Sequence, residues 1–458
     1  MPTTRVEIAP YFEALHLRLN GLYDCNCPKC QSNKTIDLSV AGDLFKGLLN
    51  VAEKAFKRLH EKGSYKPQDL KTEPAYQDLI NHTFDVFDKA ITDNDMPELM
   101  RTALQKDAFL FGGLKTHVQL FEASTLLSAD GKLKPFAELA NDFNKLNNKY
   151  NQNYLEAEYE FAVGSAEVAA KWSGFSDDAT RYYLQYRTAG DNKVRDEHAA
   201  LNGTTLPKDD PFWDSYMPPN GWRCRCTVVE VLADKYPKSN SADSIAKGKK
   251  ATTKLNKNGK NTHEMFRFNS GKDKVLFPSK SPYNATRCTG DGKLSVTGLI
   301  GAPLFLLNIE KGKCEAKKII EEIRKENTIR LRKAKIIEIK DWAKSNIPEN
   351  GLIKNQRNFR TNEVHLSRKS INNIAGHLTE PNLKEVAKNV LNNLDNCKFI
   401  ESKPLDPQSK NYEKKLSQGI TQFHYYEFEW DSKIFRLNTE EINGRFEKPY
   451  SANVILKK

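Results

Sequence analysis

The sequence predicts a multidomain chain: a mainly α N-terminal region, a central small α+β domain, a charged helical spacer, and a C-terminal α+β domain with helices followed by an antiparallel sheet. Three observations carry this reading. At 458 residues the chain exceeds one ordinary hydrophobic core. Apolar residues recur at helical spacing up to about residue 172, then give way to short strand-like runs between Gly, Pro, Asp and Asn clusters. Beyond Pro348 helical spacing returns and is followed by strict alternation. The expected divisions are a cysteine-bearing segment over 1–35, a helical region over 36–172, the central domain over 173–287, the spacer over 288–347 and the C-terminal domain over 348–458.

In the helical region, LFKGLLNVAEKAFKRL places Leu44, Leu48, Ala52, Ala55 and Leu59 on one stripe. AYQDLINHTFDVFDKAI does the same with Tyr76, Leu79, Ile80, Phe84, Phe87 and Ile91. Pro135 opens a longer helix, because Phe136, Leu139, Ala140, Phe143, Leu146, Tyr150, Tyr154, Ala157 and Phe161 keep three-and-four spacing over many turns. YYLQYRT and CTVVEVL are the strand-like runs of the central domain. The charge-laced KGKCEAKKIIEEIRKENTIRLRKAKIIEIKDWAKSNI has few large apolar residues and is expected as the spacer. In the last domain SRKSINNIAGH and PNLKEVAKNVLNNL are helices, the second with Pro381 in its first turn. QFHYYEFEW then puts His424, Tyr426, Phe428 and Trp430 on one face, Asp431 and Ser432 form a turn, and KIFRLN returns. That two-residue turn pairs Tyr426 with Leu437 and brings Asn438 near His424.

Composition sets the class. Apolar residues make up 38% and charged residues 28%, with a mean hydropathy of -0.67, as in a soluble globular chain with solvated helices. No run approaches the roughly 18 uninterrupted apolar residues of a membrane span. MPTTRVEIAPYFEALH lacks the basic-then-apolar order of a signal peptide, so a cytoplasmic site of synthesis is expected. A net charge of +12 and a pI near 9.0 attract polyanions such as DNA, RNA or an acidic protein; the same lysines serve equally to solvate helices.

The eight cysteines are too sparse for a disulfide scaffold. They cluster as Cys25, Cys27 and Cys30 and as Cys224 and Cys226, with Cys288, Cys314 and Cys397 scattered. Clustering in a reducing compartment favours metal. PPNG is a strong turn signal, and a strand starting at Cys224 would put Cys226 on the same face. Zinc takes Cys and neutral His in tetrahedral sites, which makes His198, Cys224 and Cys226 the candidate ligands. The fourth is left open among Asp191, Asp196 and the N-terminal cysteines. The alternative is that the cysteines are buried small hydrophobes. A nucleophilic thiol with His198 as base lacks an oxyanion loop and a third orienting group.

RTAGDNKVRDEHAALNG followed by DDPFWDSYMPPNGWRCRC resembles the signature of the phage Mu F-like minor head proteins, in the order Arg, His, Pro-Pro, Trp and Cys-x-Cys. The resemblance covers Tyr154 to Glu230. It implies a protein present in few copies that associates with the portal and capsid proteins in head morphogenesis, near packaged DNA, without catalysis in this domain. It places the chain in the host bacterial cytoplasm during assembly and then in the capsid interior of the virion.

The C-terminal domain has its own chemistry. RNA cleavage by its own 2'-hydroxyl needs a base, an acid and a cation near the phosphate, and no metal. His377 and His424 are the candidates for acid and base, Arg436 and Lys448 for stabilising the phosphate, and Tyr450 or Ser451 for positioning substrate. The plainer readings are a core His424, a His377 interacting with the helix dipole, and surface charges at Arg436 and Lys448. Helix, helix, then strands, with VHLSRKSINNIAGH, FHYYEFEWDSKIFRLN and EKPYSANVIL, resembles the RNase-like domains of the barnase, EndoU, colicin E and RelE type. That resemblance implies a metal-independent endoribonuclease effector with an RNA substrate and an immunity protein as partners. The alternative is a purely structural head protein whose last domain binds nucleic acid or a partner.

Overall fold

The computed structural model describes residues 5–23, 42–129, 132–256, 259–284, 288–289, 291–295, 303–378, 382–430 and 433–455. The N-terminal cysteines, Pro381 and the turn at Asp431 and Ser432 lie outside them. The chain forms two compact units, Met1–Arg324 and Lys325–Lys458.

The first unit is built on helices α1 (Arg5–Tyr23), α2 (Gly42–Lys62), α3 (Pro74–Thr92), α4 (Glu98–Ser124), α5 (Phe136–Asn148) and α6 (Leu155–Gly174). The expected stripes face inward: Leu48, Ala52, Ala55 and Leu59 of α2 and Tyr76, Leu79, Ile80, Phe87 and Ile91 of α3 are buried in one core. Apolar spacing does not announce α1 or α4. Helix α4 buries residues around much of its circumference, including Lys115, His117 and Gln119, so it shows no clean apolar stripe.

The helix read as continuous from Pro135 is interrupted. Between α5 and α6 the residues Lys149–Tyr154 form a π-helical turn. That turn carries Tyr150 and Tyr154, both buried, to a polar cluster. Tyr150 donates to Glu122 Oε2 at 2.7 Å. His16 of α1 bridges Glu122 Oε1 at 2.7 Å and the Tyr154 hydroxyl at 3.1 Å. Nearby in sequence, Lys115 of α4 pairs with Glu158 of α6, both fully buried.

A three-stranded antiparallel sheet completes this unit: β1 (Tyr182–Arg187) lies between β2 (Thr205–Leu206) and β3 (Thr227–Leu232). Its core of Leu184, Tyr186, Leu206, Phe212, Trp213 and Val228 includes Val168 of α6, so the long helix serves the bundle and the sheet together. Asp107 Oδ2 accepts from the backbone N–H groups of Leu276 and Phe277, both at 2.8 Å, and fastens the chain after the sheet to α4. Cys288 and Cys314, read as scattered, form a disulfide across 26 residues.

The charge-laced segment is helix α7 (Leu304–Asn346). It is not solvated throughout: Ala316, Ile319, Ile320 and Ile323 lie in the core of the first unit, and Ile339 and Ala343 in that of the second.

Among its described residues the second unit has six strands, β4 (Leu352–Asn355), β5 (Glu363–Leu366), β6 (Lys398–Pro404), β7 (Ile420–Trp430), β8 (Lys433–Ile442) and β9 (Phe446–Ile455), ordered β4-β5-β9-β8-β7-β6. This corrects the expectation of helices followed by an antiparallel sheet. Two strands precede helix α8 (Arg368–His377), and β9 runs parallel to β5. At four residues each, β4 and β5 are too short to declare an alternation. The hairpin register is as expected, with Tyr426 opposite Leu437. Helices α8 and α9 (Val386–Asn393) contribute Ile371, Ile374, Val386 and Val390 to a core shared with Tyr426, Phe428, Phe435 and Leu437.

Glu158→Gln should lower the stability of the first unit by about 3–5 kcal/mol, because it leaves Lys115 charged and buried without its partner. Chemical denaturation of the full chain checks this; unchanged transition midpoints would show the pair to be dispensable.

Candidate functional site

The PPNGWRCRC stretch builds a bracket for three ligand atoms. Asn220 is buried, accepts from the Tyr186 hydroxyl at 2.9 Å and donates to the Met217 carbonyl at 3.1 Å. Trp222 packs its ring 4.6 Å from that of Phe161 on α6. Arg195 Nη2 donates to the Trp222 carbonyl at 2.7 Å, and at Gly221 a Cβ would sit 3.0 Å from Arg195 Nη1, so this position leaves the guanidinium room. Arg223 then takes a φ of 58°, which turns the chain toward Cys224.

Strand β3 begins at Thr227, after both cysteines, so strand alternation is not what pairs them. The turn does. On the other side Asp196–Ala199 forms a single helical turn that buries His198. Its Nδ1 lies 3.5 Å from Cys224 Sγ and 3.8 Å from Cys226 Sγ, and all three ligand atoms fall within 4.8 Å of one another. A tetrahedral zinc with ordinary Zn–S and Zn–N bonds would separate N and S by about 3.6 Å. A cavity of ≈ 20 Å³ lined by Arg195, His198, Cys224 and Cys226 adjoins them, enough for one water-sized occupant. The donor set therefore fits a metal in three of four positions.

Electrostatics agree. The Cys224 thiol is held well below its ordinary range, first by the hydrogen bond from Cys226 and then by the neighbouring His198 and Arg195. Cys226 is pushed up by sharing that proton and by burial. Of the fourth-ligand candidates, Asp191 is clasped by Arg225 through two bonds of 2.7 and 2.8 Å. Neither Asp191 nor Asp196 belongs to the three-residue group. Arg223 is buried near Glu156 and Glu160, and burial raises Glu160 to about 7.

The residues singled out in the second unit divide between the two faces of its sheet. His424 is buried on the face of Tyr426 and Phe428, with Nδ1 2.7 Å from Ser402 Oγ and Nε2 2.8 Å from Glu441 Oε2. Arg436 is directly opposite Glu427 and bonded to it at 2.8 Å, on the other face. Cross-strand pairing puts Lys448 opposite Glu440, and Ser451 opposite Asn438, on that same face. Tyr450 falls at a register shift, its ring 6.0 Å from Phe423 and 6.4 Å from the exposed His377 at the end of α8. Arg436, Lys448 and Ser451 thus share one face, Tyr450 and His377 meet at its bulge, and alternation sets His424 apart.

Sequence reasoning missed Lys415. Helix α10 (Tyr412–Ser417) brings its Nζ 4.4 Å over Phe423 and 5.6 Å over Tyr450, and 3.3 Å from Glu440 Oε1. Its signal, one lysine among many in SKNYEKKLS, is indistinguishable from surface charge.

Residues 134–229 match the family described as Phage Mu protein F like protein. "Putative capsid assembly protein F" of Escherichia phage Mu is 37% identical over 76 residues, 16% of this chain and 17% of that protein. "Mu-like prophage FluMu F protein" of Haemophilus influenzae is 42% identical over 52 residues, 11% of this chain and 12% of that one. The chain therefore spans less than a fifth of the length of these curated relatives. No solved structure matches it. Among the described residues, no helix is long and apolar enough to cross a membrane.

Co²⁺ added to the purified chain should give a thiolate-to-cobalt charge-transfer band that is lost in Cys224→Ser with Cys226→Ser. A folded chain with no band, and no metal after dialysis, would leave the cysteines as packing residues.

Proposed function

We propose that the chain is a phage or prophage head-morphogenesis protein whose Mu F-like domain acts with portal and capsid proteins, and whose second unit is a metal-independent endoribonuclease effector. The match over 134–229 carries the first part. The residues of that match support a structural role: Asn220, Trp222 and Arg195 are spent on holding the turn, and His198, Cys224 and Cys226 are mostly buried. Zinc is the ion we assign to those three ligands. It would close the small sheet by cross-linking its β3 entry to the Asp196–Ala199 turn. Assembly would take place in the bacterial cytoplasm, with the finished protein inside the capsid.

The nuclease reading rests on Arg436, Lys448 and Ser451 sharing one face of the sheet, with Tyr450 and His377 meeting at its bulge. His377, exposed at the end of α8, takes the proton of the 2'-hydroxyl as that oxygen attacks phosphorus, and solvent water protonates the 5'-oxygen as the P–O5' bond breaks and leaves the cyclic phosphate. Arg436 and Lys448 offset the phosphate charge. Burial pushes the Tyr450 hydroxyl up to about 12, so it stays protonated and donates a hydrogen bond that positions substrate. Ser451 is buried and supports Asn438 at 2.8 Å. His424, held between Ser402 and Glu441 on the opposite face, has no part in this scheme.

Full-length protein should cleave RNA in the presence of EDTA and leave a cyclic phosphate, with a loss of about 10²-fold or more in His377→Ala. Intact RNA with folded protein would favour the structural alternative, in which the second unit binds without cutting. Purified heads should contain the chain; its absence from them would remove the morphogenesis reading.

A further inference from the structure

The second unit holds most of the chain's net positive charge. Lys325–Lys458 contains 25 Lys and Arg against 17 Asp and Glu, an excess of +8 out of the net +12. On the sheet face that carries Arg436 and Ser451, Phe423, Tyr425 and Tyr450 are only partly buried. Each has an ammonium over its ring: Lys415 over Phe423 and Tyr450, and Lys403 at 5.2 Å over Tyr425. Aromatic rings interleaved with lysines suit bases stacking on the rings while phosphates meet the cations.

A second observation points to a ligand at the same place. Asn438 stands directly opposite Tyr425 on one side and Ser451 on the other. Its side chain is more than nine-tenths buried, with 8% exposed. Nδ2 donates to Ser451 Oγ at 2.8 Å, yet Oδ1 has no hydrogen-bond partner among the described residues. Arg436, two residues along the same strand face, gives Nη2 to Glu427 but has no acceptor for Nε among them. A buried polar atom left unpaired costs roughly 1–3 kcal/mol. Two such groups on one aromatic, basic face are explained if an incoming group supplies the missing partners.

We propose that this face binds single-stranded RNA, with Phe423, Tyr425 and Tyr450 as stacking platforms and Asn438 Oδ1 accepting from the exocyclic amine of one base. The occupant is a base with an exocyclic amine, adenine, cytosine or guanine. Where cytosine carries its amine uracil carries a carbonyl oxygen, which repels an acceptor. Arg436 Nε takes a phosphate oxygen of the same strand. The choice of RNA rests on the nuclease reading, whereas base stacking and amine recognition do not require cleavage.

The test is binding of fluorescent nine-nucleotide A, C and U oligoribonucleotides to the full chain carrying His377→Ala, so that no strand is cut. A or C should bind on the order of tenfold more tightly than U. Asn438→Leu should erase that preference while U binding is kept. Tyr425→Ala should weaken all three oligonucleotides by on the order of tenfold. Equal affinity for A, C and U in the chain that keeps Asn438 overturns the proposal without reference to any variant's folding, as does tighter binding of the matching DNA strands. Preference for A or C by a wild-type chain that cuts no RNA would sink the nuclease reading and leave this inference standing; cutting without base preference would do the reverse.

Discussion

The contact between Trp222 and Phe161 is the constraint on which the first unit's site depends. It ties the turn after Met217 to the middle of α6, and α6 is itself shared by the helical bundle and the three-stranded sheet. With Trp222 fixed, Arg195 can reach its carbonyl, and the same arginine begins the turn that carries His198. The two sides of the bracket are therefore positioned by one aromatic contact and one charge-assisted hydrogen bond. Lys171 of α6 adds a third tie, donating to Thr227 Oγ1 at 2.8 Å where β3 begins. A small sheet with few inward-facing strand residues gains its rigidity from such ties, and a metal bound by His198, Cys224 and Cys226 would extend the same logic.

The second unit is organised by parity. Even-numbered residues of β7 from His424 to Phe428 face the helices, and odd-numbered ones face away. Polar groups on the two faces have correspondingly different fates. On the helix side Glu447 is enclosed and satisfied: it accepts from the Tyr426 hydroxyl at 2.9 Å, from Thr439 Oγ1 at 2.5 Å and from the Thr361 N–H at 3.1 Å. On the other side lysines hover over rings, and two buried polar atoms lack partners among the described residues. Satisfied networks specify a fold, and unsatisfied ones mark where a ligand can be gained. This contrast directs a functional reading to the face of Arg436 and Asn438 and away from His424, although an imidazole between a serine and a glutamate is the more conspicuous arrangement.

Spacing and residue type alone define the elements with a clean period and the segment that resembles the Mu F-like family. The stripes of α2 and α3, the strands around YYLQYR and TVVEVL, and the Tyr426–Leu437 register are legible without a fold, because period and turn length fix which side chains share a face. The Arg, His, Pro-Pro, Trp and Cys-x-Cys order is equally legible, since each residue type there has few substitutes. Long-range packing sets the remainder. The π turn at Lys149–Tyr154, the Cys288–Cys314 disulfide, the parallel pairing of β5 with β9, and the reach of Lys415 over Tyr450 all depend on partners distant in sequence. The same holds for the grouping of the C-terminal candidates: alternation alone could separate His424 from Arg436, but only the folded sheet and α8 bring His377 beside Tyr450, because a helix end meets a strand through packing that no local pattern encodes.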